Sequence, residues 1–405
     1  MPLAGNMLIA QSGGPTAAVN ASLAGALERA MQHGEIGEIY GGKNGIQGVL
    51  KGDLVPLRRL FSDEKNLELL RQTPAMLLGS CRKRLSETPD AEYEKILDLF
   101  HENNIQYFFY IGGNDSMDTV KKLAAWFSEL GEEICAVGVP KTIDNDIACI
   151  DHTPGFGSAA RFIATSVAEV AADSAIYDLP SVTLVEIMGR NAGWLTAASA
   201  LARQSGCTAP HIICMPETPF DDERFLSRVE QLQKQHRNVV AAVSEGVRYA
   251  DGRYVAAAQD RIDAFGHQQL AGVASYLAGM IRSRFGFKVR GIEPNVLQRA
   301  AGHLCSETDL LEAARVAAEA VTMAVRDRKT GVMATMTRVS NHPYQVRYDC
   351  VPLADVANVE KTVPIEWIDA EQMDIKPELQ EYLAPLISDL SGQSGVPEHF
   401  RLPLY

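Results

Sequence analysis

With 405 residues, the chain exceeds the roughly 250–300 at which a single core stops growing, which predicts two domains. Hydrophobic residues make up 46% and charged residues 22%, an ordinary globular balance, and the net charge of -13 argues against a non-specific nucleic-acid or acidic-membrane surface. Seven scattered cysteines with no Cys-x-x-Cys pair, an amino-terminal apolar run too short for a signal peptide, and no apolar stretch near the roughly 20 residues of a membrane span predict a cytoplasmic protein with reduced thiols.

Asn6–Gln11 reads as a strand, followed by Gly13-Gly14 and an alanine-rich helix from about Ala17 to Gln32. The short apolar run Tyr107–Ile111 reads as a buried parallel strand leading to helix Ser116–Leu130, and Ile134–Val139 reads as another leading to Lys141. Next come helix Ser158–Ile176, strand Val182–Ile187 and helix Ala192–Gln204. Strands Ile212–Met215 and Val239–Val243 flank helix Asp221–Gln235. A helix Gln268–Phe285, a strand Lys288–Gly291 and a helix Thr308–Arg326 follow. Repeated strand-helix units predict an α/β fold with two doubly wound parallel sheets, and a break is expected around Asp151–Gly157. The stretch from Gly331 holds a hairpin-like pattern and a proline-punctuated tail with no legible function.

In an open α/β sheet, ligands collect at the carboxyl ends of the strands, so the residues just after each strand are the candidates. Ser12-Gly13-Gly14 either brings backbone close to a phosphate or makes a tight turn. Gly112-Gly113-Asn114-Asp115-Ser116 brings glycine amides, an amide side chain, a carboxylate and a hydroxyl, and Pro140–Asp146 brings a lysine and two carboxylates. That mixture suits a magnesium-bound polyphosphate beside a hydroxyl that must lose a proton. Of Asp144 and Asp146, one can take the proton while the other holds a cation, although Asp-Asn-Asp also suits a plain Asx turn. Arg190 at the end of one strand can clamp an anion, and Glu245 at the end of another can bind sugar hydroxyls. Arg290 and Arg299, nine residues apart across a strand end, are candidates for a phosphate clamp or a solvated basic face. Gly155-Phe156-Gly157-Ser158-Ala159-Ala160 fits a dinucleotide fingerprint, but no strand precedes it and Asp173 falls inside a helical pattern, so that reading is set aside.

Taken in this order, the segments resemble the 6-phosphofructokinase family, more closely its diphosphate-dependent branch, from Gly13 to about Arg299. The resemblance implies two doubly wound, Rossmann-like α/β domains with the active site in the cleft between them. It assigns residues 1–155 with about 299–360 to the phosphoryl donor, and 156–298 with part of the tail to the sugar phosphate. The implied reaction is reversible, Mg2+-dependent phosphoryl transfer from diphosphate to the 1-hydroxyl of fructose 6-phosphate. Carried over by position, Asp144 is the general base, Thr142 and Ile143 line the sugar, and Gly14 presents its amide to the donor. Asp146 and Asn114 serve the metal, and Arg82 reaches the transferred phosphoryl group. Met188, Gly189 and Arg190 contact the sugar, Glu245 its hydroxyls, and Arg290 and Arg299 its 6-phosphate.

In the same resemblance two residues choose the donor. Asp115 stands where ATP users have a glycine that leaves room for the α-phosphate; two unit charges about 4 Å apart at an effective dielectric near 20 repel by roughly 4 kcal/mol. Lys141 also replaces a glycine, and its ammonium can offset charge on a leaving phosphate, while Lys43 replaces an aromatic on the adenine side. Two departures are Asn114, where the family usually has aspartate, and Ser181, where ATP users carry a phosphate-binding arginine. The alternatives are an ATP-dependent kinase of the same fold and a non-catalytic phosphosugar-binding protein. Neighbour-supplied arginines imply a homodimer or homotetramer.

Overall fold

The computed structural model describes residues 4–176, 178–262, 268–270 and 272–399. In chain order the strands are β1 (Gly5–Gln11), β2 (Ile36–Gly42), β3 (Leu54–Pro56), β4 (Ile105–Gly112), β5 (Cys135–Pro140), β6 (Ser181–Ile187), β7 (Ile212–Cys214) and β8 (Asn238–Ser244). They continue with β9 (Ala257–Ile262), β10 (Gln268–Leu270), β11 (Lys288–Ile292), β12 (Val332–Asn341) and β13 (Tyr344–Pro352). The chain forms two compact units, residues 1–156 with 309–361, and residues 157–308 with 362–405.

Among the described residues, the first unit holds a seven-stranded sheet in the order β13-β12-β5-β4-β1-β2-β3. The central strands run parallel, and β3 and β13 are antiparallel additions at its two edges. β1, β4 and β5 are buried almost without interruption, as strands covered on both faces must be. Phe100, Phe108 and Phe127 pack together between helix, strand and helix, each side chain contributing roughly 1.5–3 kcal/mol by burial. From β1 the chain passes to β2 on one side and later to β4 on the other, so the sheet's order reverses between β1 and β4. Such a reversal opens a crevice at the strands' carboxyl ends. Register makes those ends level: Gln11 pairs with Ile111, and Gly112 with Pro140.

In the second unit a four-stranded parallel sheet runs β11-β6-β8-β7. Its core joins Val182, Leu184, Ala241 and Val243 to Phe225 and Val229 of helix Asp222–Gln233, and to Leu277 and Ile281 of helix Val273–Phe285. Ile187 pairs with Ser244, so the ends of β6 and β8 are also level.

Several sequence expectations need correction. The first sheet's parallel core carries two antiparallel edge strands beyond those expected, β3 and, from the hairpin read near Gly331, β13. The helix expected over Ala192–Gln204 is one α-turn, Trp194–Ala198, followed by a 3-10 stretch, Ser199–Ser205. That segment is buried nearly throughout, so packing rather than propensity sets its tighter winding. The helix expected from Gln268 starts at Val273, after left-handed Gly272; Gln268–Leu270 is β10, and residue 271 lies outside the described residues. β2 was missed because its glycines carry little strand signal. Helices Glu64–Gln72 and Ala91–Glu102 were missed although Asp63 and Asp90 cap them.

Candidate active site

The carboxyl edge of the first sheet gathers the donor-side candidates. Gly13 takes φ +81, a left-handed turn that suits glycine, and Gly14 follows it exposed. Gly112 has no room for a side chain, since a Cβ there would lie 1.9 Å from Ser116 Oγ. The chain therefore turns tightly from β4 into helix Asn114–Leu130, setting Asn114 and Asp115 in its first turn. Lys141 follows β5 at only 2% exposure, and its Nζ donates to Gly14 O at 2.7 Å. The ammonium thus lies against the turn after β1. Ser80 Oγ donates to Gly13 O at 2.7 Å, which brings the segment carrying exposed Arg82 to the same turn.

Asp115 is not the lone carboxylate that the sequence suggests. Arg84 Nη2 sits 2.6 Å from Asp115 Oδ1, both side chains half-exposed. The position keeps its bulk, but part of its charge is compensated. Arg84 lies two residues after Arg82 and was overlooked.

Beyond Lys141 burial alternates residue by residue: Lys141, Ile143, Asn145 and Ile147 are buried, while Thr142, Asp144 and Asp146 are only partly so. The loop is bent at 143–144 and left-handed at Asn145 rather than extended, yet it leaves its chemical groups outermost, with Asp144 near enough for its charge to act on Asp146. Ile143 is 6% exposed, so its side chain faces inward and only its backbone remains for the expected sugar contact. Asp144 accepts from Thr142 Oγ1 at 3.3 Å, and its own amide donates back to that hydroxyl at 3.1 Å.

Burial, and then the carboxylates of Asp144 and Glu360, push Asp146 up to about 7. Asn114 Nδ2 donates to Asp146 Oδ2 at 3.4 Å, and Asn114 Oδ1 is buried with no partner. Among the described residues no cluster of three or more His, Cys, Asp or Glu side chains could hold a metal. One crowded carboxylate and one orphaned amide oxygen do fit magnesium, which takes one or two protein oxygens and completes its shell from phosphates and water.

Behind this face the first unit holds a buried polar network. His152 lies between Asp151 Oδ2 at 2.8 Å and Glu312 Oε2 at 2.7 Å, with Arg338 on Asp151 and Tyr344 donating to Glu312. Burial alone lowers its pKa, but Glu312 and Asp151 outweigh that and raise it to about 9. Lys361 Nζ donates to Asn145 Oδ1, Ile150 O and Asp151 O. No local signal marked Lys361, whose partners lie more than two hundred residues earlier.

The carboxyl edge of the second sheet gathers the sugar-side candidates. Met188-Gly189-Arg190 follows β6 and Glu245 follows β8. Ser244 Oγ donates to Gly189 O at 2.7 Å, and Gly189 N donates to Glu245 Oε1 at 3.2 Å. Gly189 has φ +133, and a Cβ on Gly246 would lie 1.9 Å from Arg190 O, so both glycines are required by this close fit. Met188 N donates to buried Gln298 Oε1 at 2.9 Å, which docks the short helix Leu297–Ala300, and Arg299 with it, beside the end of β6. Gln298 carried no sequence signal.

Arg290 lies apart from this edge. It lies mid-strand in β11, opposite Thr183 of β6, and its Nη1 pairs with Asp173 at 2.6 Å. Met188 is five residues further along, roughly 16 Å at strand rise. Arg290 instead lines a shallow recess with Lys288 and Ser181, the first residue of β6. Within one chain neither Arg290 nor Ser181 reaches the edge occupied by Met188, Arg190 and Glu245.

The family model described as Phosphofructokinase matches residues 6–324. A pyrophosphate--fructose 6-phosphate 1-phosphotransferase of Halomonas elongata is 43% identical over 403 residues, covering 98% of this chain and 94% of that protein. A crystal structure titled as a pyrophosphate-dependent phosphofructokinase, from Marinobacter aquaeolei, has TM-score 0.85 at 38% identity, covering 97% of this chain and 95% of that one. Another so titled, from Nitrosospira multiformis, has TM-score 0.86 at 39% identity, covering 95% and 92%. A family match over most of the length, together with a relative 43% identical across nearly the whole chain, gives the assignment: this chain belongs to the phosphofructokinase family.

Proposed function

We infer that this chain transfers a phosphoryl group reversibly between diphosphate and the 1-hydroxyl of fructose 6-phosphate, giving phosphate and fructose 1,6-bisphosphate. The observation that carries the choice of donor is Lys141, a buried ammonium lying against the Gly13-Gly14 turn, level with the strand that delivers Asp115. An ammonium there favours a compact, highly charged donor. Asp115 and its partner Arg84 fill the room that a nucleotide's third phosphate needs. The compensated charge makes this exclusion one of shape as much as of repulsion.

In the forward direction the Asp144 carboxylate takes the proton of the 1-hydroxyl. The freed oxygen attacks the terminal phosphorus of diphosphate, the bond to the bridging oxygen breaks, and inorganic phosphate leaves with the electron pair. Gly14, Lys141 and Arg82 hold the donor, while Thr142 and the Ile143 backbone meet the sugar. Met188, Gly189, Arg190 and Glu245 orient its hydroxyls, and Arg299 holds its 6-phosphate. Positioning and charge stabilisation supply most of the acceleration. Asp146 and Asn114 would hold a magnesium ion, which would supply charge neutralisation.

Arg290, remote from the Met188 edge of its own chain, serves the sugar phosphate of a neighbouring copy, so the working form is a homodimer or homotetramer. The reaction belongs in the cytoplasm, in keeping with seven cysteines and no Cys-x-x-Cys pair. No helix among the described residues is long and apolar enough to cross a membrane.

The test is bisphosphate formation from fructose 6-phosphate and magnesium, with diphosphate and ATP offered separately. Diphosphate should support turnover and ATP should not. In the Asp115→Gly, Lys141→Gly double variant diphosphate use weakens and some ATP use emerges. ATP as the preferred donor of the unaltered protein overturns the reading.

A further inference from the structure

The Thr142–Asp146 segment must turn two carboxylates to one face, and their mutual repulsion works against that shape. What opposes it comes from the last residue of the first unit. Lys361 meets the loop twice. Its backbone amide donates to Asp146 O at 2.7 Å, and its Nζ donates to Asn145 Oδ1 at 3.2 Å, Ile150 O at 3.0 Å and Asp151 O at 2.7 Å. Asn145 is fully buried at φ +54, a left-handed conformation that asparagine tolerates better than most residues. Its Oδ1 takes a second hydrogen bond from Thr153 N at 3.0 Å, and Thr153 Oγ1 donates to Thr142 O at 2.8 Å. Three carbonyl oxygens therefore converge on one ammonium, directly beneath the residue that separates the two aspartates. Oxygens gathered in this way without a donor are costly, so the loop's shape depends on the cation.

We propose that Lys361 is a positioning residue for phosphoryl transfer: with Asn145 it forms a lock that turns the Asp144 and Asp146 carboxylates to the same side of the loop. The proposal rests on the reading of Asp144 as general base. Lys361 acts through Asn145 and the loop backbone.

Lys361→Met keeps the side-chain stem and removes the three donors. A reacting group displaced by about 1 Å costs on the order of a hundredfold, so kcat with diphosphate should fall by about that factor while KM for fructose 6-phosphate moves less than about threefold. Lys361→Arg should recover part of the loss. Adding Asn145→Ala to Lys361→Met should cost no more than the worse single variant, as expected of two parts of one device. Independently of activity, amides of residues 142–153 should exchange hydrogen at least about tenfold faster in Lys361→Met, with those of β4 unchanged.

An unchanged loop exchange rate, a kcat within about twofold of the parent, or exchange rising equally in β4 overturns the proposal. If Lys361→Met does not fold, Lys361→Gln carries the same measurements. Unaltered protein that forms no bisphosphate, yet whose loop loosens on losing Lys361, sinks the functional reading and leaves the lock standing.

Discussion

The carboxyl edges of the two sheets solve different problems with different materials. On the first, charged side chains do the work in the proposed reaction, and each has a partner: Lys141 the Gly14 carbonyl, Asp115 Arg84, and the two aspartates the loop held through Asn145. On the second, backbone does much of the holding, through Gly189 and Gly246, whose missing side chains let strand ends close on one another. The difference follows from the task. Moving a proton and a phosphoryl group, as proposed, needs charges fixed in place, which hydrogen-bonded and ion-paired partners provide. Recognising a sugar needs shape, which glycine and a few hydrogen bonds provide.

The sharpest way to break the contrast is at the first edge. Asp144→Asn should lower turnover by roughly 10²–10⁴ while leaving sugar binding nearly intact, measured as kcat beside calorimetric fructose 6-phosphate affinity. Near-full turnover would remove Asp144 from its role. The second edge should fail in the opposite sense. Gly246→Ala forces a Cβ against Arg190 O, and overpacking of about 1–3 kcal/mol should raise KM for fructose 6-phosphate by roughly 5- to 100-fold, with a smaller change in kcat. A kcat loss with unchanged KM would show that this edge shares in the chemistry.

A milder test concerns the network behind the first edge. The His152 pKa is raised from 6.5 to about 9, so the folded state holds a proton that the unfolded chain releases earlier. Its contribution to stability is full below pH 6.5 and is lost as pH rises through about 9. The melting temperature should fall by a few degrees across that window, and His152→Gln should flatten the slope while lowering the starting value. An identical slope in the variant would place the pH dependence elsewhere.

How much of this was legible in sequence tracks how local each cause is. β4 and β5 read clearly because strands covered on both faces are continuous apolar runs, and their loops read clearly because polar groups follow directly. Asp144 and Asp146 could be placed on one face only once burial showed the loop alternating in and out, and that same alternation turned Ile143 inward. The place of Arg290 was not legible, because distance along the chain does not reveal which part of a strand a residue occupies; its pairing with Thr183 does. Arg84, Gln298 and Lys361 were silent. The first adjoins a recognised arginine, whereas the other two act on partners 110 and 216 residues away.

That last separation bears on how the protein is made. A ribosome delivers Asp144 early, but the lysine that fastens its loop emerges only after residues 157–308 have been synthesised. A nascent chain paused before residue 361 carries both aspartates and lacks the lysine proposed to fasten them, so on that proposal competence for transfer waits until residue 361 has been added.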